Sequence, residues 1–180
     1  MKLTKRGEYA LRTLIQLGIA QKLEQGVLSV STLAEREHLP FKFLEAILFE
    51  LRGAGYVEST RGKLGGTRLA KPMKQIKMGE VVRLIDGKLA PIGCASETEY
   101  EPCTCPDEEH CGLRMLMIDV RNAVANILDR YTLADVVEVT MRKQERDAKP
   151  APKRAAAPKK KVAKGRHADP ADGFLAALLK

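Results

Sequence analysis

The sequence predicts a mainly α-helical fold that carries one small β-hairpin. Apolar residues recur at helical spacing in five segments, and one pair of β-prone segments flanks a glycine-rich turn. The 180 residues allow one ordinary domain with an appendage and are too few for a barrel-sized α/β enzyme. Hydrophobic residues make up 44% of the chain but aromatic residues only 4%, so we expect an aliphatic core.

The first three helices are predicted close together in the chain. The first covers Leu3–Gln21 and is apolar around most of its circumference, which is typical of a buried helix. Ser29 is the predicted N-cap of a short amphipathic helix over Val30–Glu37. A turn at His38–Pro40 precedes a third helix, Phe41–Arg52, whose apolar residues fall at i, i+3, i+4 and i+7.

A hairpin follows the third helix. The β-prone segments Tyr56–Thr60 and Thr67–Leu69 flank the glycine-rich turn Arg61–Gly66. A helix, a short turn, a second helix and a basic hairpin form the order of a winged helix-turn-helix, in which the second helix can enter the major groove of DNA. Such units also serve as protein-interaction modules, and that alternative stays open.

The sequence after the hairpin predicts two further helices with a loop between them. One helix covers Ile76–Asp86, and the other is a long helix over Leu113–Tyr131 with an apolar stripe at steps of three and four. Gly87–Pro91 opens the intervening loop, which holds all four cysteines of the chain.

Charge divides the chain into three blocks. The net charge is +7 for residues 1–77, −7 for residues 78–140 and +8 for residues 141–180. We therefore predict a regulator body over residues 1–140, with a basic DNA-binding part (1–77) and a cysteine-loop part (78–140). Residues 141–180 are predicted to be a basic tail, disordered over Glu145–Gly173, since its Lys/Pro/Ala-rich run cannot bury enough apolar surface. It either solubilises the chain or contacts phosphates non-specifically.

Five residues are candidates for DNA contact. Lys42 and Glu45 lie off the apolar stripe of the third helix, where Lys can donate to guanine or phosphate and Glu can accept from cytosine. For Glu45 the alternative is an ordinary solvated helix residue. At the hairpin tip, Arg61, Gly62 and Lys63 can reach a phosphate or the minor groove.

The cysteine loop suggests a metal or redox site. Cys94, Cys103, Cys105 and Cys111 are not spaced as the paired CxxC of a zinc ribbon, and a long loop with several thiols can hold an iron–sulfur cluster. Six acidic residues between Cys94 and Cys111 would raise thiol pKa values and lower a cluster's potential. His110 could replace a thiolate or be a solvent-exposed loop residue, and a zinc site or free thiols remain alternatives for the loop.

The whole body resembles one family. The segments MKLTKRGEYALRTL, LAEREHLPFKFLEAILFELRGAGYVESTRGKLGG, MGEVVRLIDG and RNAVANILDRYTLADVV, together with the cysteine loop, resemble the Rrf2 family of bacterial winged-helix repressors, of the IscR, NsrR and RirA type. The resemblance runs from Met1 to about Val137. The sequence departs from the family pattern in three respects. It has four loop cysteines instead of three, it has His38 and Pro40 in the turn, and it carries the basic tail.

The resemblance implies a homodimer that pairs through the long helix Leu113–Tyr131. It implies that two recognition helices bind a pseudo-palindromic operator in double-stranded DNA, and that each cysteine loop leans toward the first helix of the partner. Cys94, Cys105 and Cys111 are the implied cluster ligands, with Cys103 as a spare thiol, redox partner or substitute ligand.

Glu8 stands at the position where some family members place an acidic fourth ligand. In the sequence it is polar at the head of an otherwise buried helix. The alternative is a surface ion pair with Lys5 or Arg12.

These observations predict a DNA-binding transcriptional regulator, a repressor that senses iron–sulfur status, redox state or nitric oxide through a cluster of unspecified nuclearity. One alternative is a cluster-free regulator linked to thiols or zinc, and another is an interaction module that regulates a metabolic enzyme. We expect no enzyme, because no phosphate loop, nucleophile–base pair or HExxH helix occurs. With neither a spanning segment nor a signal peptide, we expect a bacterial cytoplasmic, nucleoid-associated protein without a small-molecule substrate.

Overall fold

The computed structural model describes residues 3–62 and 65–148. These residues form six α-helices, one antiparallel hairpin and two short 3-10 turns, at Met73–Gln75 and Gly93–Ala95. In chain order the elements are α1 (Lys5–Lys22), α2 (Val30–Glu37), α3 (Phe41–Gly53), β1 (Val57–Thr60), β2 (Gly66–Leu69), α4 (Met78–Asp86), α5 (Gly112–Arg130) and α6 (Leu133–Ala148).

The core is aliphatic, as the composition predicts. The third helix buries the four apolar residues of its stripe, and α1 packs against α3, α4 and β2. Removing such side chains from water is the main favourable contribution to folding. The largest fully buried side chains of α1 to α4 and β1 are those of Leu14, Leu33, Leu44, Ile47, Leu51, Val57, Val81 and Val82.

The hairpin, here called the wing (residues 57–69), is fixed to the start of α2. Its strands pair from Val57 with Leu69 to Thr60 with Gly66. Leu28 adds a third strand-like segment, because its N–H donates to the Thr67 carbonyl at 3.0 Å and the Thr67 N–H donates back at 2.7 Å. The wing is therefore held beside the helix-turn-helix by backbone hydrogen bonds.

The long helix α5 is anchored by backbone hydrogen bonds just after its C-terminal end, and it buries none of its own residues. The Tyr131 carbonyl accepts from Met78 N–H at 3.0 Å, and Leu133 N–H donates to the Ile76 carbonyl at 2.8 Å. None of the residues of α5 is buried in the single chain, and its most exposed apolar side chains are Leu113, Met115, Leu116 and Ile127. Within residues 3–62 and 65–148, no helix is both long and apolar enough to span a membrane.

The predicted boundary of the basic tail is wrong at its start. Helix α6 continues through Ala148, so residues 141–148 are helical, including part of the segment predicted to be disordered from Glu145. The helix begins with a capping box, in which Thr132 N–H donates to Asp135 Oδ2 at 2.8 Å and Asp135 N–H donates to Thr132 Oγ1 at 3.4 Å. The backbone divides after Val136 into two units, and α6 belongs to both. The rest of the predicted tail, residues 149–180, lies outside the described residues.

Candidate nucleic-acid interface and cysteine loop

Local capping fixes the turn between α2 and α3. The Ser29 hydroxyl accepts from Thr32 N–H at 3.0 Å and caps α2, as predicted. His38 ends that helix with φ of 52°, the left-handed conformation that reverses a helix end. Pro40 then starts α3 with φ of −63°, a value that its ring already imposes. The predicted helix-turn-helix is confirmed.

Four residues share the face of α3 that points away from the core. Lys42, Glu45, Phe49 and Arg52 are all exposed and follow one another at steps of three and four. Lys42 Nζ lies 3.1 Å from Glu45 Oε2, so the two predicted DNA-contact residues form an exposed ion pair. Such a pair contributes little to stability, so both side chains stay available for an incoming ligand.

Phe49 is the residue of this face that sequence reasoning missed. Its side chain is 70% exposed, and the guanidinium carbon of Arg52 lies 5.4 Å from its ring centroid. Only the stripe residues of α3 are predicted to lie in the core, and the position of the apolar Phe49 off that stripe was the available signal. Phe49 lines a groove of about 610 Å³ between α3 and the wing, together with Glu45, Arg52, Ser59 and Thr60.

The tip of the wing carries the other predicted DNA contacts. Arg61 and Gly62 are exposed, and Gly62 has φ of 111°, which favours glycine. Lys63 lies outside the described residues. At the base of the tip, a Cβ on Gly66 would come within 2.7 Å of the Leu28 carbonyl, so only glycine lets the wing approach α2 this closely.

The cysteine loop (residues 87–111) holds the four thiols of the chain. Cys94 is buried in the 3-10 turn, Cys105 is exposed and Cys111 is the N-cap of α5. Cys103 is near enough to raise the pKa of both the Cys94 and the Cys105 thiols, and Cys111 also raises that of Cys105. Cys103, which the family resemblance leaves as a spare thiol, redox partner or substitute ligand, is therefore the common neighbour of Cys94 and Cys105.

The surroundings of Cys94 and Cys105 favour the protonated form of these two thiols. Burial, followed by the neighbouring Cys103, raises the pKa of the Cys94 thiol. Hydrogen bonding and charge at Cys103, together with loss of solvent and the Cys111 thiol, raise the pKa of Cys105 to about 11. Glu108 lies against the group, 3.7 Å from Cys103 Sγ, and the Tyr100 hydroxyl that donates to it lowers the pKa of its carboxyl.

Two arginines of α5 hold the first part of the loop. Arg114 Nε donates to the Cys94 carbonyl at 3.0 Å, and Arg121 Nη1 donates to the Ala95 carbonyl at 2.8 Å. Arg114 Nε also lies 3.3 Å from Glu108 Oε1. The backbone beside Cys94 is thus joined directly to the long helix.

Two other predicted ligands are engaged elsewhere in the chain. Glu8 forms ion pairs on its own helix, at 2.8 Å with Lys5 and 3.4 Å with Arg12, as the alternative assignment of this residue expects. His110 Nδ1 lies 2.8 Å from Asp107 Oδ2 in an exposed part of the loop. Among residues 3–62 and 65–148, no three His, Cys, Asp or Glu side chains already converge as metal ligands do.

Comparison with known proteins covers most of the chain. The Rrf2 family, described as an iron-dependent transcriptional regulator, matches residues 3–139. An rrf2-like HTH-type transcriptional regulator of Rhodobacter capsulatus is 37% identical over 137 residues, covering 75% of this chain and 91% of that protein. The HTH-type transcriptional regulator NsrR of Geobacillus kaustophilus is 36% identical over 138 residues, covering 77% of this chain and 90% of that protein.

The fold is also similar to a solved structure of this kind. The structure of CymR, the global cysteine regulator of B. subtilis, matches with a TM-score of 0.64 and 29% identity, over 77% of this chain and 97% of that chain. The mainly helical winged fold is therefore confirmed, and so is the prediction of a regulator and not an enzyme. The chain belongs to the Rrf2 family of transcriptional regulators.

Proposed function

We propose that the protein is a transcriptional repressor that binds a pseudo-palindromic operator as a homodimer and senses iron–sulfur status, redox state or nitric oxide through its cysteine loop. The observation that carries the proposal is that one chain holds both an exposed, basic helix-turn-helix face and a loop with four cysteine thiols. Lys42, Glu45 and Arg52 are exposed on α3, and Arg61 is exposed at the tip of the wing. The net charge of +7 over residues 1–77 suits the phosphate backbone. This function is carried out on the bacterial chromosome, in the cytoplasm.

The bare face of α5 supports the homodimer. A helix with no buried residue and several exposed apolar side chains is unstable against water unless it is covered. A second copy of α5 covers it in a symmetric pair, which sets two α3 helices at a fixed separation. That separation determines the spacing of the operator half-sites.

The donor set of the cysteine loop fits an iron–sulfur cluster in kind and in number. Such clusters take thiolate ligands, and the loop carries four cysteines, of which Cys103 is a neighbour of both Cys94 and Cys105. Cys94, Cys105 and Cys111 would hold the cluster, with Cys103 of the loop or Glu8 of the first helix as the fourth ligand. When bound, the cluster supplies a centre that reacts with oxidants and nitric oxide.

The chain's own residues transmit the change in the loop. Ligand binding requires the thiols to lose their protons, and it requires the loop to rearrange, since no three candidate ligands of the described residues converge. Arg114 and Arg121 join the backbone at Cys94 and Ala95 to α5, the helix of the proposed dimer contact. A shift of the loop thereby changes the separation of the two recognition helices and the affinity for the operator.

Anaerobic reconstitution tests the sensing part of the proposal. Full-length protein supplied with iron and sulfide should bind both and gain broad visible absorbance, and Cys105→Ser should abolish both signals. Comparison of Cys103→Ser with Glu8→Gln identifies the fourth ligand. Failure of the wild-type protein to bind iron and sulfide together would reject cluster sensing.

Operator selection tests the DNA-binding part. The dimer should select a pseudo-palindromic sequence from a random duplex library, and Arg61→Ala with Lys63→Ala should weaken binding. For every phosphate that the variant no longer neutralises, the slope of log affinity against log salt should fall by about one. Unchanged binding by the double variant would mean that the wing does not contact DNA.

A cluster-free regulator is the second candidate, because the pKa values of the Cys94 and Cys105 thiols are raised, which favours thiols over the thiolates that a cluster needs. In that case the thiols themselves, or a zinc ion that they bind, respond to the cell. Metal analysis of protein purified without oxygen separates the candidates: iron with sulfide supports the first, whereas zinc or no metal supports the second.

A further inference from the structure

We propose that Phe49 is a specificity-determining residue of the DNA interface, and that its ring contacts the 5-methyl group of a thymine in the major groove. This inference rests on the proposed DNA-binding function and deepens it. It concerns a residue whose chemistry differs from that of its charged neighbours, and it makes a prediction about a single methyl group on the DNA.

The position of Phe49, and not its exposure alone, carries the inference. Single exposed apolar residues are ordinary on protein surfaces. Phe49, however, lies four residues after Glu45 and seven after Lys42, on the face of α3 opposite the buried stripe. Its ring also lines the groove between α3 and the wing, where Ser59 and Thr60 lie on the other side. A duplex bound by both α3 and the wing must pass this ring.

The charge around the ring favours DNA as the occupant. Lys42 and Arg52 flank Phe49 on the same helix face, and the wing tip adds Arg61. Residues 1–77 carry a net charge of +7, which is complementary to a polyanion. An acidic protein surface is the competing occupant, and operator selection distinguishes it from DNA.

A phenyl ring in the major groove has one good partner. It offers neither hydrogen-bond donors nor charge, so it cannot satisfy the polar edges of guanine, cytosine or adenine. The thymine 5-methyl group is the apolar feature of that groove, and contact with it discriminates thymine from other bases. Phe49 therefore adds sequence preference and little to non-specific binding.

Arg52 defines the orientation of the ring. Its guanidinium carbon lies 5.4 Å from the Phe49 centroid, within the range of a cation–π contact. The ring covers one side of the guanidinium and leaves its edge donors free for a phosphate or a guanine. Phe49 and Arg52 thus present an apolar ring and the N–H donors of a guanidinium next to each other.

Deoxyuridine substitution tests the methyl contact directly, because deoxyuridine differs from thymidine only by that group. The operator is first selected with the full-length wild-type dimer, and each symmetric pair of thymines is then replaced by deoxyuridine. At one pair, we expect the wild-type affinity to fall about fourfold for each methyl group removed. Phe49→Ala should bind the thymine operator more weakly and should lose its sensitivity to that replacement.

Leu23→Ala is the matched control, since Leu23 is 52% exposed and caps the end of α1, outside α3 and the wing. It should keep the sensitivity of the wild-type protein, and thermal unfolding should show that both variants fold. The inference is overturned if the wild-type protein selects an operator but every deoxyuridine replacement lowers the affinity of the wild-type protein and of Phe49→Ala by the same factor. If it selects no operator, the proposed function itself fails, and Phe49 then belongs to a protein contact.

Discussion

Arg83 on α4 and Asp129 on α5 form a two-point ion pair, with Nη1 to Oδ1 at 2.8 Å and Nη2 to Oδ2 at 2.5 Å. The hydrogen bonds from Arg83 lower the pKa of Asp129, and those to Asp129 raise the pKa of Arg83. Gly79 makes room for the pair, because a Cβ at that position would overlap Asp129 Oδ1. Because α5 buries no side chain in the single chain, this ion pair is one of the contacts that hold α5 against α4.

Asp129→Asn should lower the free energy of unfolding by about 1 kcal/mol or less, because both partners are partly exposed. A carboxyl whose folded pKa is lowered stabilises the fold above its unfolded pKa, and that contribution is lost as the pH falls through the folded value. The difference between wild type and variant should therefore be constant near neutral pH and should shrink below about pH 4. Urea unfolding at one protein concentration measures it, with Arg83→Gln completing a double-mutant cycle; a difference independent of pH would contradict the assignment.

Leu116→Glu should convert the dimer into monomers and reduce operator affinity. Leu116 is 56% exposed on α5, and a charge there could not be covered by a second α5 without a large desolvation cost. Leu23→Glu is the control, since Leu23 caps the end of α1 with a similar exposure of 52%, and this variant should leave the dimer intact. Sedimentation velocity distinguishes the two, and a dimer that survives Leu116→Glu would place the interface elsewhere.

Gly66→Ala should detach the wing from α2. The added Cβ would lie 2.7 Å from the Leu28 carbonyl and would disturb the Leu28–Thr67 hydrogen bonds. Overpacking of this kind costs about 1–3 kcal/mol, so we expect a lower melting temperature and weaker DNA binding. Gly53→Ala is matched, because a Cβ there meets nothing within 4 Å. Equal effects of the two substitutions would show that the close approach at Gly66 is unimportant.

Truncation after Ala148 should weaken binding to all DNA sequences by a similar factor. Residues 149–180 carry a net charge of +7 and none of the predicted base contacts. Without their phosphate contacts, the salt dependence of binding should be flatter while operator preference is kept. Titrations of operator and random duplex at several salt concentrations measure both quantities, and a loss of preference would give the segment a part in recognition.

The helix-turn-helix and wing could be predicted because local signals define them. Ser29 and Pro40 mark helix starts, and the Leu44–Leu51 stripe repeats at helical spacing, so α2 and α3 agree closely with their predicted bounds. Helix α6 was missed although Thr132 and Asp135 form a capping box in the sequence. Leu133, Val136, Val137 and Met141 also recur at helical spacing after this box, so the sequence did carry a signal for this helix.

The path of the cysteine loop could not be predicted from the cysteine spacing. The loop is held to α5 by contacts between distant residues, such as Arg114 with the Cys94 carbonyl and with Glu108, which spacing does not encode. Lys42 and Glu45 could be found from charge and position, whereas Phe49 carries no charge and lies off the buried stripe, so neither signal indicates it.

Arg114 and Arg121 contact the backbone carbonyls of Cys94 and Ala95 and not the Cys94 thiol. A carbonyl is present whatever residue stands at positions 94 and 95, so Cys94→Ser removes a thiol and leaves the acceptor of Arg114 in place. Detection and transmission are therefore separable by mutation. Cysteine variants should no longer respond to the signal but should keep the hydrogen bonds between the loop and α5. Arg114→Gln and Arg121→Gln should keep the chemistry of the thiols, but operator affinity should no longer change with the state of the loop.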